Sequence, residues 1–291
     1  MTTRPDECLP GRRRRLRRLL CSPGGLVGLA LVVVVVMVAA LAPWISPHDP
    51  ARQNLALRLR PPAWLEGGGA EYLLGTDHLG RDVFSRVIAG SRVSLTVGLA
   101  AAFLSALIGV PLGLAAGYAG GWLDGLLSRI ADIQQAVPFL VLAIAVAALL
   151  GPGLPNLVLV LAITTWVTYF RVVRGQVLSA REEQYVWAAR SIGCSAARIA
   201  VRHILPNILA PIIVIVTLQV ANMIIFEASL SFLGLGVPSN VPTWGRSVAD
   251  GREYLANEWW ISFFPGLSIL LTVMGINLLG DWLGEVLDPK G

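Results

Sequence analysis

Six blocks of apolar residues, each about as long as a membrane-spanning helix, constrain the fold of this chain more than any other feature. A helix of roughly 20 residues crosses the ~30 Å hydrocarbon layer of a bilayer at about 1.5 Å per residue. Backbone groups in lipid must find partners within their own segment, so the blocks predict an all-α membrane protein with six transmembrane helices. The blocks are residues 26–45, 93–116, 130–150, 154–169, 208–227 and 263–283.

Two blocks leave alternatives open. The first follows a basic tail and contains Ala40-Leu41-Ala42, which is similar to a signal-peptide cleavage site. Its length of about 20 residues exceeds the usual apolar region of a signal peptide, which favours an uncleaved span. The third block is short unless it includes Asp132, Gln134 and Gln135, and we include them as a polar end that faces protein or the water interface.

Residues that could support catalysis or metal binding are scarce. Charged residues make up 14% of the chain, against roughly 25% in soluble domains. The single lysine, Lys290, lacks the glycine-rich context of a nucleotide-binding loop, so we expect no Walker-type ATP site. The cysteines and histidines show no metal-binding or redox spacing, and no serine nucleophile motif is present. We therefore expect a chain without catalytic residues, bound cofactor or metal.

The distribution of arginine predicts the orientation of the spans. Seven arginines in residues 1–22 place the N-terminus in the cytoplasm by the positive-inside rule, and six spans return the C-terminus there. The loop 172–206 is then cytoplasmic and basic, whereas the outer loop 228–262 contains only two arginines. The outer loop 46–92 fits poorly because it contains six, although long loops obey the rule less strictly. This pattern points to the cytoplasmic face of a membrane rather than to nucleic acid.

These features divide the chain into four parts. They are a basic cytoplasmic tail (1–25), a first transmembrane helix (26–45), an extracytoplasmic loop with an amphipathic helix (46–92) and a five-helix core with a cytoplasmic loop at 172–206 (93–291).

The amphipathic helix is predicted at residues 80–93. Asp82 and Arg86 would form an i,i+4 pair on its polar face. The helix could lie on the outer membrane surface or simply lead into the second span, and periodicity alone does not separate the two. Its apolar face would consist of Val83, Phe84, Val87 and Ile88.

The cytoplasmic loop 172–206 is patterned for helix. The motif Ser179-Ala180-Arg181-Glu182 matches a capping box, which predicts that a helix starts at its second residue. Gly193 can adopt the left-handed conformation that ends a helix. Small side chains at Ala188 and Ala189 would let a partner approach the backbone closely.

A second helix is predicted at the end of this loop. Ser195 can cap a helix over 196–204, which would stop before Pro206. The alternative is a solvated loop between spans. The loop is long and basic, however, and it contains apolar residues that need a partner.

The same loop resembles the EAA loop of ABC importer permeases. That family has E-A-A-x-x-x-G, then nine residues, then I-x-L-P, and this chain has Ala188-Ala189, Gly193 and Leu205-Pro206 at the matching spacing. It departs at Trp187, where the family has Glu, and at His203, where it has Ile. By the resemblance, the missing Glu and the sequence H-I-L-P-N are both found in the peptide/nickel branch.

Three further segments resemble the same branch and follow in the expected order. Together they make the chain similar to the C-type permease subunit of a dipeptide, oligopeptide or nickel importer, from about residue 26 to the C-terminus. The segments are Leu74-Gly75-Thr76-Asp77 with Gly80-Arg81-Asp82 and Ser85-Arg86; Leu230 to Gly236 with Trp244-Gly245; and Gly280-Asp281 to Asp288-Pro289.

The resemblance implies a type I ABC importer transmembrane domain in the bacterial cytoplasmic (inner) membrane. It implies a homologous B-type permease partner, two cytoplasmic ATPase subunits that use ATP and Mg, an extracytoplasmic substrate-binding protein and surrounding lipid. The expected cargo is peptides or related small solutes. The resemblance assigns ATPase coupling to Trp187, Ala188, Ala189, Arg190, Ser191, Ile192 and Gly193, with support from Ser179, Glu182, Ser195, His203, Leu205 and Pro206.

Polar residues within the spans are candidates for the translocation pathway, because polar groups in lipid are costly and often functional. The same residue types also bond between packed helices, so a structural role competes for each. Glu227 and Asp281 lie near span ends, where we expect a solvated or capping role. The pathway candidates are Thr164, Thr165, Gln219, Asn222 and Met223.

A secondary, ion-coupled transporter and a non-ABC membrane scaffold are the alternative functions. A secondary transporter is expected to have broken helices and charges near the middle of the bilayer. The carboxylates in the predicted spans lie toward their ends instead.

Overall fold

A computed structural model describes residues 22–238 and 240–287, and the elements in these ranges are all helical. Most of the predicted basic tail and the C-terminal residues 288–291 lie outside the described residues. A π-helical segment, Ile199–Ile204, joins two short helices, and 3₁₀ turns occupy Leu55–Leu57 and Arg252–Tyr254. The α-helices are α1 (Pro23–Ile45), α2 (Val83–Ala119), α3 (Gly121–Ala136), α4 (Phe139–Leu150), α5 (Leu154–Ala180), α6 (Gln184–Ser191), α7 (Ala196–Arg198), α8 (Leu205–Asn207), α9 (Leu209–Phe232), α10 (Trp244–Gly251) and α11 (Trp260–Leu287).

Five of these helices, α1, α2, α5, α9 and α11, are long and apolar enough to cross a membrane. The third predicted span differs, because it consists of α3 and α4 with a bend of 94° between them. Pro138 lies at the bend and lacks an N–H, and it disfavours helical backbone at the preceding residue. Val137 is accordingly extended, with φ −91° and ψ 126°. The all-α prediction is confirmed, with five continuous candidate spans and a bent pair of helices in the place of the predicted third span.

Helix α2 runs without interruption for 37 residues and begins at Val83. Residues 83–93 therefore lead directly into the second span, and the separate surface helix in the predicted outer loop is wrong. The Asp82 carboxylate caps α2 by accepting hydrogen bonds from the backbone N–H groups of Phe84 and Ser85. The predicted pair between Asp82 and Arg86 does not form, because Asp82 is used in the cap and Arg86 turns toward two other carboxylates.

Helices α2 and α5 pack closely because glycines line their contact at four-residue spacing. A Cβ atom on Gly109 would lie 2.4 Å from the carbonyl oxygen of Trp166, and one on Gly113 would lie 2.7 Å from that of Phe170. Small residues at such spacing let two helices in a membrane approach backbone to backbone. The two helices therefore lie in direct backbone contact at these glycines.

A separate apolar cluster lies at the end of the molecule that is predicted to face the cytoplasm. It joins Leu114 of α2 and Val177 of α5 to Ile199 and Ile204 of the π-helical segment. This cluster forms the seat on which the short helix α6 lies.

Candidate coupling surface, pathway residues and outer ion-pair cluster

Helix α6 has one buried face and one exposed apolar face. Val186 is fully buried and Ala189 is 5% exposed, and both pack into the cluster that contains Leu114. Trp187 and Ile192 are instead 52% and 80% exposed. An apolar surface of this kind at the end of a helix favours contact with another protein.

The predicted docking residues therefore divide between two faces. Ala189 faces the chain's own core, so its small size allows α6 to settle on its seat, and the expectation that a partner approaches there is wrong. The other predicted docking residues are exposed: Trp187, Ala188, Arg190, Ser191, Ile192 and Gly193.

The predicted start of this helix is also wrong. Ser179 belongs to the last turn of α5, because α5 continues beyond the span and Arg181 N–H still bonds to the Val177 carbonyl at 2.9 Å. Glu182 does not reach back to cap a helix and pairs with the Arg181 side chain at 3.0 Å. Helix α6 begins after Glu183, whose side chain makes no capping hydrogen bond.

Beyond α6 the chain turns at Gly193, whose φ of +79° is the left-handed conformation that the sequence predicted. Ser195 takes the N-cap position of α7, but its side chain makes no capping hydrogen bond. The predicted stop before Pro206 is wrong, because the short helical segments continue through it into α9. Proline is tolerated there because it lies in the first turn of α8, where an N–H is not needed. His203 and Leu205 lie on either side of the junction between the π-helical segment and α8.

Two arginines, one in α6 and one at the end of α5, contact the end of α2. The Arg190 guanidinium lies 5.5 Å from the ring centroid of Tyr118 and 5.2 Å from that of Trp187. These distances are typical of cation–π contacts. The Arg181 side chain donates a hydrogen bond to the Gly117 carbonyl at 3.1 Å. Helix α6 therefore contacts α2 directly, through Arg190 and Tyr118, and is joined to α5 through the chain.

The pathway candidates do not form one polar surface. Thr165 and Met223 are buried where α5 meets α9, with 3.8 Å between the hydroxyl and the sulfur. Gln219 is also buried and accepts a hydrogen bond from Asn222 at 2.7 Å. Asn222 is exposed whereas Met223 is buried, so these two candidates do not line a common surface. The partly exposed Thr164 bonds to carbonyls of its own helix.

Sequence reasoning missed an outer ion-pair cluster, which consists of Asp77, Arg81, Arg86, Arg246 and Asp250. Arg81 binds Asp77 at 2.5 Å and Asp250 at 2.8 Å, and all three side chains are at most 8% exposed. Arg86 lies 3.7 Å from Asp77 and 3.6 Å from Asp250, and Arg246 binds Asp250 at 2.9 Å. The Asp77–Arg81 spacing of i,i+4 was a visible signal, whereas Asp250 is 169 residues from Arg81 in sequence.

This cluster also bears on metal binding. Asp77, His78 and Asp250 each offer one ligand atom within 4.8 Å of the others. Three arginines lie beside these two carboxylates, so a cation would have to compete with guanidinium groups for the carboxylate oxygens.

A buried carboxylate lies nearby, at Glu227. A solvated or capping role was expected, but Glu227 is fully buried and accepts hydrogen bonds from the hydroxyls of Ser94 at 3.2 Å and Ser231 at 2.8 Å. Ser94 also accepts a bond from the backbone N–H of Trp244 at 3.3 Å, so the group joins α2, α9 and α10. Asp281 is exposed, in keeping with the expectation of a solvated residue.

Residues 109–290 match the family model of the binding-protein-dependent transport system inner membrane component, and residues 12–62 match the N-terminal transmembrane domain of oligopeptide transport permease C. The chain belongs to this family of inner membrane transport components. The permease is therefore a multi-pass inner membrane protein and a transport subunit rather than an enzyme.

Similar proteins agree with this membership. The permease is 48% identical over 267 residues to the dipeptide transport system permease protein DppC of Escherichia coli K12, covering 92% of this chain and 89% of that one. It is 45% identical to the di/tripeptide transport system permease protein DppC of Pseudomonas aeruginosa UCBPP-PA14, covering 92% and 88%. Neither alternative, a secondary transporter or a membrane scaffold, is favoured by these relatives.

A solved structure shares the fold. It is the MetNI methionine ABC transporter in inward-facing conformations, with a TM-score of 0.55 at 18% identity, covering 70% of this chain and 96% of that one.

Proposed function

We propose that this chain is the C-type permease subunit of an ATP-driven importer that carries peptides across the inner membrane. The relatives are peptide permeases by name, and membership of the family places the chain in a binding-protein-dependent system. A homologous B-type permease completes the pathway, an extracytoplasmic binding protein delivers the peptide, and two ATPase subunits hydrolyse ATP with Mg.

The observation that carries the proposal is the two-faced helix α6. Its buried face contacts α2, α5 and the π-helical segment, so a force on α6 reaches two spans directly. Its exposed face presents Trp187 and Ile192, which suit an apolar groove on an ATPase subunit. The position of the family's Glu is occupied by Trp187, so docking at this point uses an apolar side chain instead of a carboxylate.

Co-purification and uptake test the proposal. The complete complex is purified through a tag on this chain and reconstituted in vesicles together with its binding protein, and dialanine uptake is measured with ATP and with an imposed proton gradient. We expect ATPase subunits in the purified complex and uptake that requires ATP. Uptake driven by the proton gradient, without an ATPase partner, would contradict the proposal.

A matched pair of variants tests the docking face. The Ile192→Glu variant places a charge at the exposed apolar surface, and we expect it to lose most of the co-purified ATPase. The Ala197→Glu variant adds the same charge at an exposed position in α7, outside α6, and should retain the ATPase. Equal retention by both variants would show that α6 is not the docking element.

A further inference from the structure

A polar cavity of about 300 Å³ lies beside the outer ion-pair cluster. It is formed by the end of α9, by α10, by the 3₁₀ turn Arg252–Tyr254 and by His78 of the outer loop, all at the end that is predicted to face outside. The rings of His78 and Tyr254 stack in its wall, with centroids 5.8 Å apart and planes inclined by 13°. Ligand sites in proteins have volumes from about 300 Å³ upward, so the cavity is large enough for a side chain or a small ligand.

Two arginines line this cavity and keep hydrogen-bond donors unused. Arg246 lies 2.9 Å from Asp250 through its Nε atom, and its terminal nitrogens have no hydrogen-bond partner among the described residues. Arg252 lies 3.8 Å from Glu253, which is beyond hydrogen-bond distance, and 5.6 Å from the ring centroid of Phe232. The two arginine side chains are 28% and 52% exposed, so a ligand can reach them. A guanidinium group has five N–H donors and no acceptor, so the pair favours an anion.

The nearby buried carboxylates of the chain do not occupy these donors. Both oxygens of Asp250 are already engaged, one beside the Nε atom of Arg246 and the other 2.8 Å from Arg81. Glu227 is fully buried and accepts a hydrogen bond from Ser231, which itself lines the cavity. The donors that face the cavity are therefore left for a carboxylate of another molecule.

Apolar side chains in the same cavity favour a protein over a free anion. Phe232 and Leu233 line the cavity and are 39% and 50% exposed, and the ring of Tyr254 lies in the wall. Arginine and aromatic side chains are typical of the residues that dominate protein–protein contacts. The positive charge of the two arginines selects an acidic group on the partner.

We propose that this cavity is a carboxylate-binding pocket, in which Arg246 and Arg252 together receive an aspartate or glutamate side chain of the extracytoplasmic binding protein. The proposal rests on the proposed function, which supplies that partner, and the cavity lies at the end of the molecule where the partner arrives. The planar guanidinium groups match the two oxygens of a carboxylate. Phe232 and Leu233 exclude water around the ion pair, and hydrogen bonds are stronger where water is excluded.

Binding affinity in the reconstituted full complex tests the pocket. The dissociation constant of the peptide-free binding protein is measured for the wild type and for the Arg252→Gln variant. We expect about tenfold weaker binding to the variant, because charge-assisted hydrogen bonds are lost. Arg58→Gln is the matched control, since it removes an exposed arginine of the outer loop that does not line the cavity, and it should bind like the wild type. Unchanged affinity in Arg252→Gln, or an equal loss in Arg58→Gln, would overturn the proposal.

A conservative change tests the second arginine. Arg246→Lys keeps a positive charge beside Asp250 but removes the planar fork of donors. We expect weaker binding at an unchanged unfolding midpoint, which separates the pocket from the stability of the outer ion-pair cluster. Full binding by this variant would contradict the shared role of the two arginines.

An exchange of charges identifies the occupant of the pocket. Arg252→Glu should repel the wild-type binding protein, and acidic surface residues of the binding protein are then changed to arginine one at a time. We expect one of these changes to restore binding to the Arg252→Glu complex by about tenfold. Absence of any restoring change would overturn the proposal.

Two further outcomes would assign the pocket to a different molecule and so also overturn the proposal. One is loss of the co-purified B-type permease from the Arg252→Glu complex while the affinity for the binding protein is unchanged. The other is an effect of Arg252→Gln that appears only when the binding protein carries dialanine, since the carboxylate would then belong to the peptide.

ATP-dependent dialanine uptake by the wild-type complex separates this proposal from the function on which it rests. Uptake that requires ATP and the binding protein, together with full affinity in Arg252→Gln, removes the pocket but leaves the importer. Absence of ATP-dependent uptake in the wild-type complex removes the importer itself.

Discussion

At the outer end of the molecule, Arg81 and Arg86 are 2% and 3% exposed and lie among the carboxylates of the outer ion-pair cluster. At the coupling end, by contrast, Arg190 and Arg198 lie on the surface beside exposed apolar side chains. These outer arginines are thus paired with carboxylates inside the fold, whereas the arginines near α6 are open to solvent. Two of the six arginines in residues 46–92 are paired with carboxylates inside the fold, and the other four remain an exception to the positive-inside rule.

Removing Asp250 should have the largest effect on stability, because it takes away the carboxylate that the outer arginines share. Asp250→Ala takes the shared counterion from Arg81, Arg86 and Arg246, and breaking a buried ion pair typically costs about 3–5 kcal/mol. We expect a large fall in the thermal unfolding midpoint of the detergent-purified protein. The control is Glu253→Ala, whose ion pair with Arg252 is exposed and should contribute at most about 1 kcal/mol. Equal midpoints for the two variants would mean that the cluster does not stabilise the outer end.

Two leucine substitutions on opposite faces of α6 should have an intermediate effect on stability and separate the buried face from the exposed one. Ala189→Leu adds volume at a buried site, and overpacking of this kind costs about 1–3 kcal/mol. Ala188→Leu is at an exposed position, so we expect an unchanged unfolding midpoint and less co-purified ATPase. The reverse result, with Ala188→Leu lowering the midpoint and Ala189→Leu leaving it unchanged, would mean that the faces of α6 are assigned the wrong way round.

The contact between Arg190 and Tyr118 should give the smallest effect. Tyr118→Leu removes the ring, and an exposed cation–π contact is worth about 0.5–1 kcal/mol. The change should speed proteolysis of the segment around α6, whereas Tyr118→Phe keeps the ring and should behave as the wild type. Combining Tyr118→Leu with Arg190→Ala should add less than the sum of the single effects. Fully additive effects would show that the two residues do not interact.

Some features of the fold could be predicted from the sequence and others could not. The spans were predictable because length and apolarity are local properties. The break at Pro138 was also predictable in principle, because a proline interrupts a helix and is visible in the sequence. The buried face of α6 was not predictable, because its seat is assembled from α2, α5 and the π-helical segment. Arg81 and Asp250 could not be paired from one sequence, since 169 residues separate them. The resemblance pointed to the segment that forms α6 but did not indicate which of its two alanines faces outward.

The distance in sequence between Arg81 and Asp250 has a consequence for biogenesis. At a synthesis rate of about 5–20 residues per second, Asp250 leaves the ribosome on the order of ten to thirty seconds after Arg81. During that interval Asp77 is the nearest acidic partner available to Arg81. The outer loop therefore lacks its ion pair with Asp250 while the later spans are inserted. A chain that is truncated before α10 never acquires Asp250. The outer ion-pair cluster can therefore close only after α10 has been synthesised, when the span α11 is still to follow.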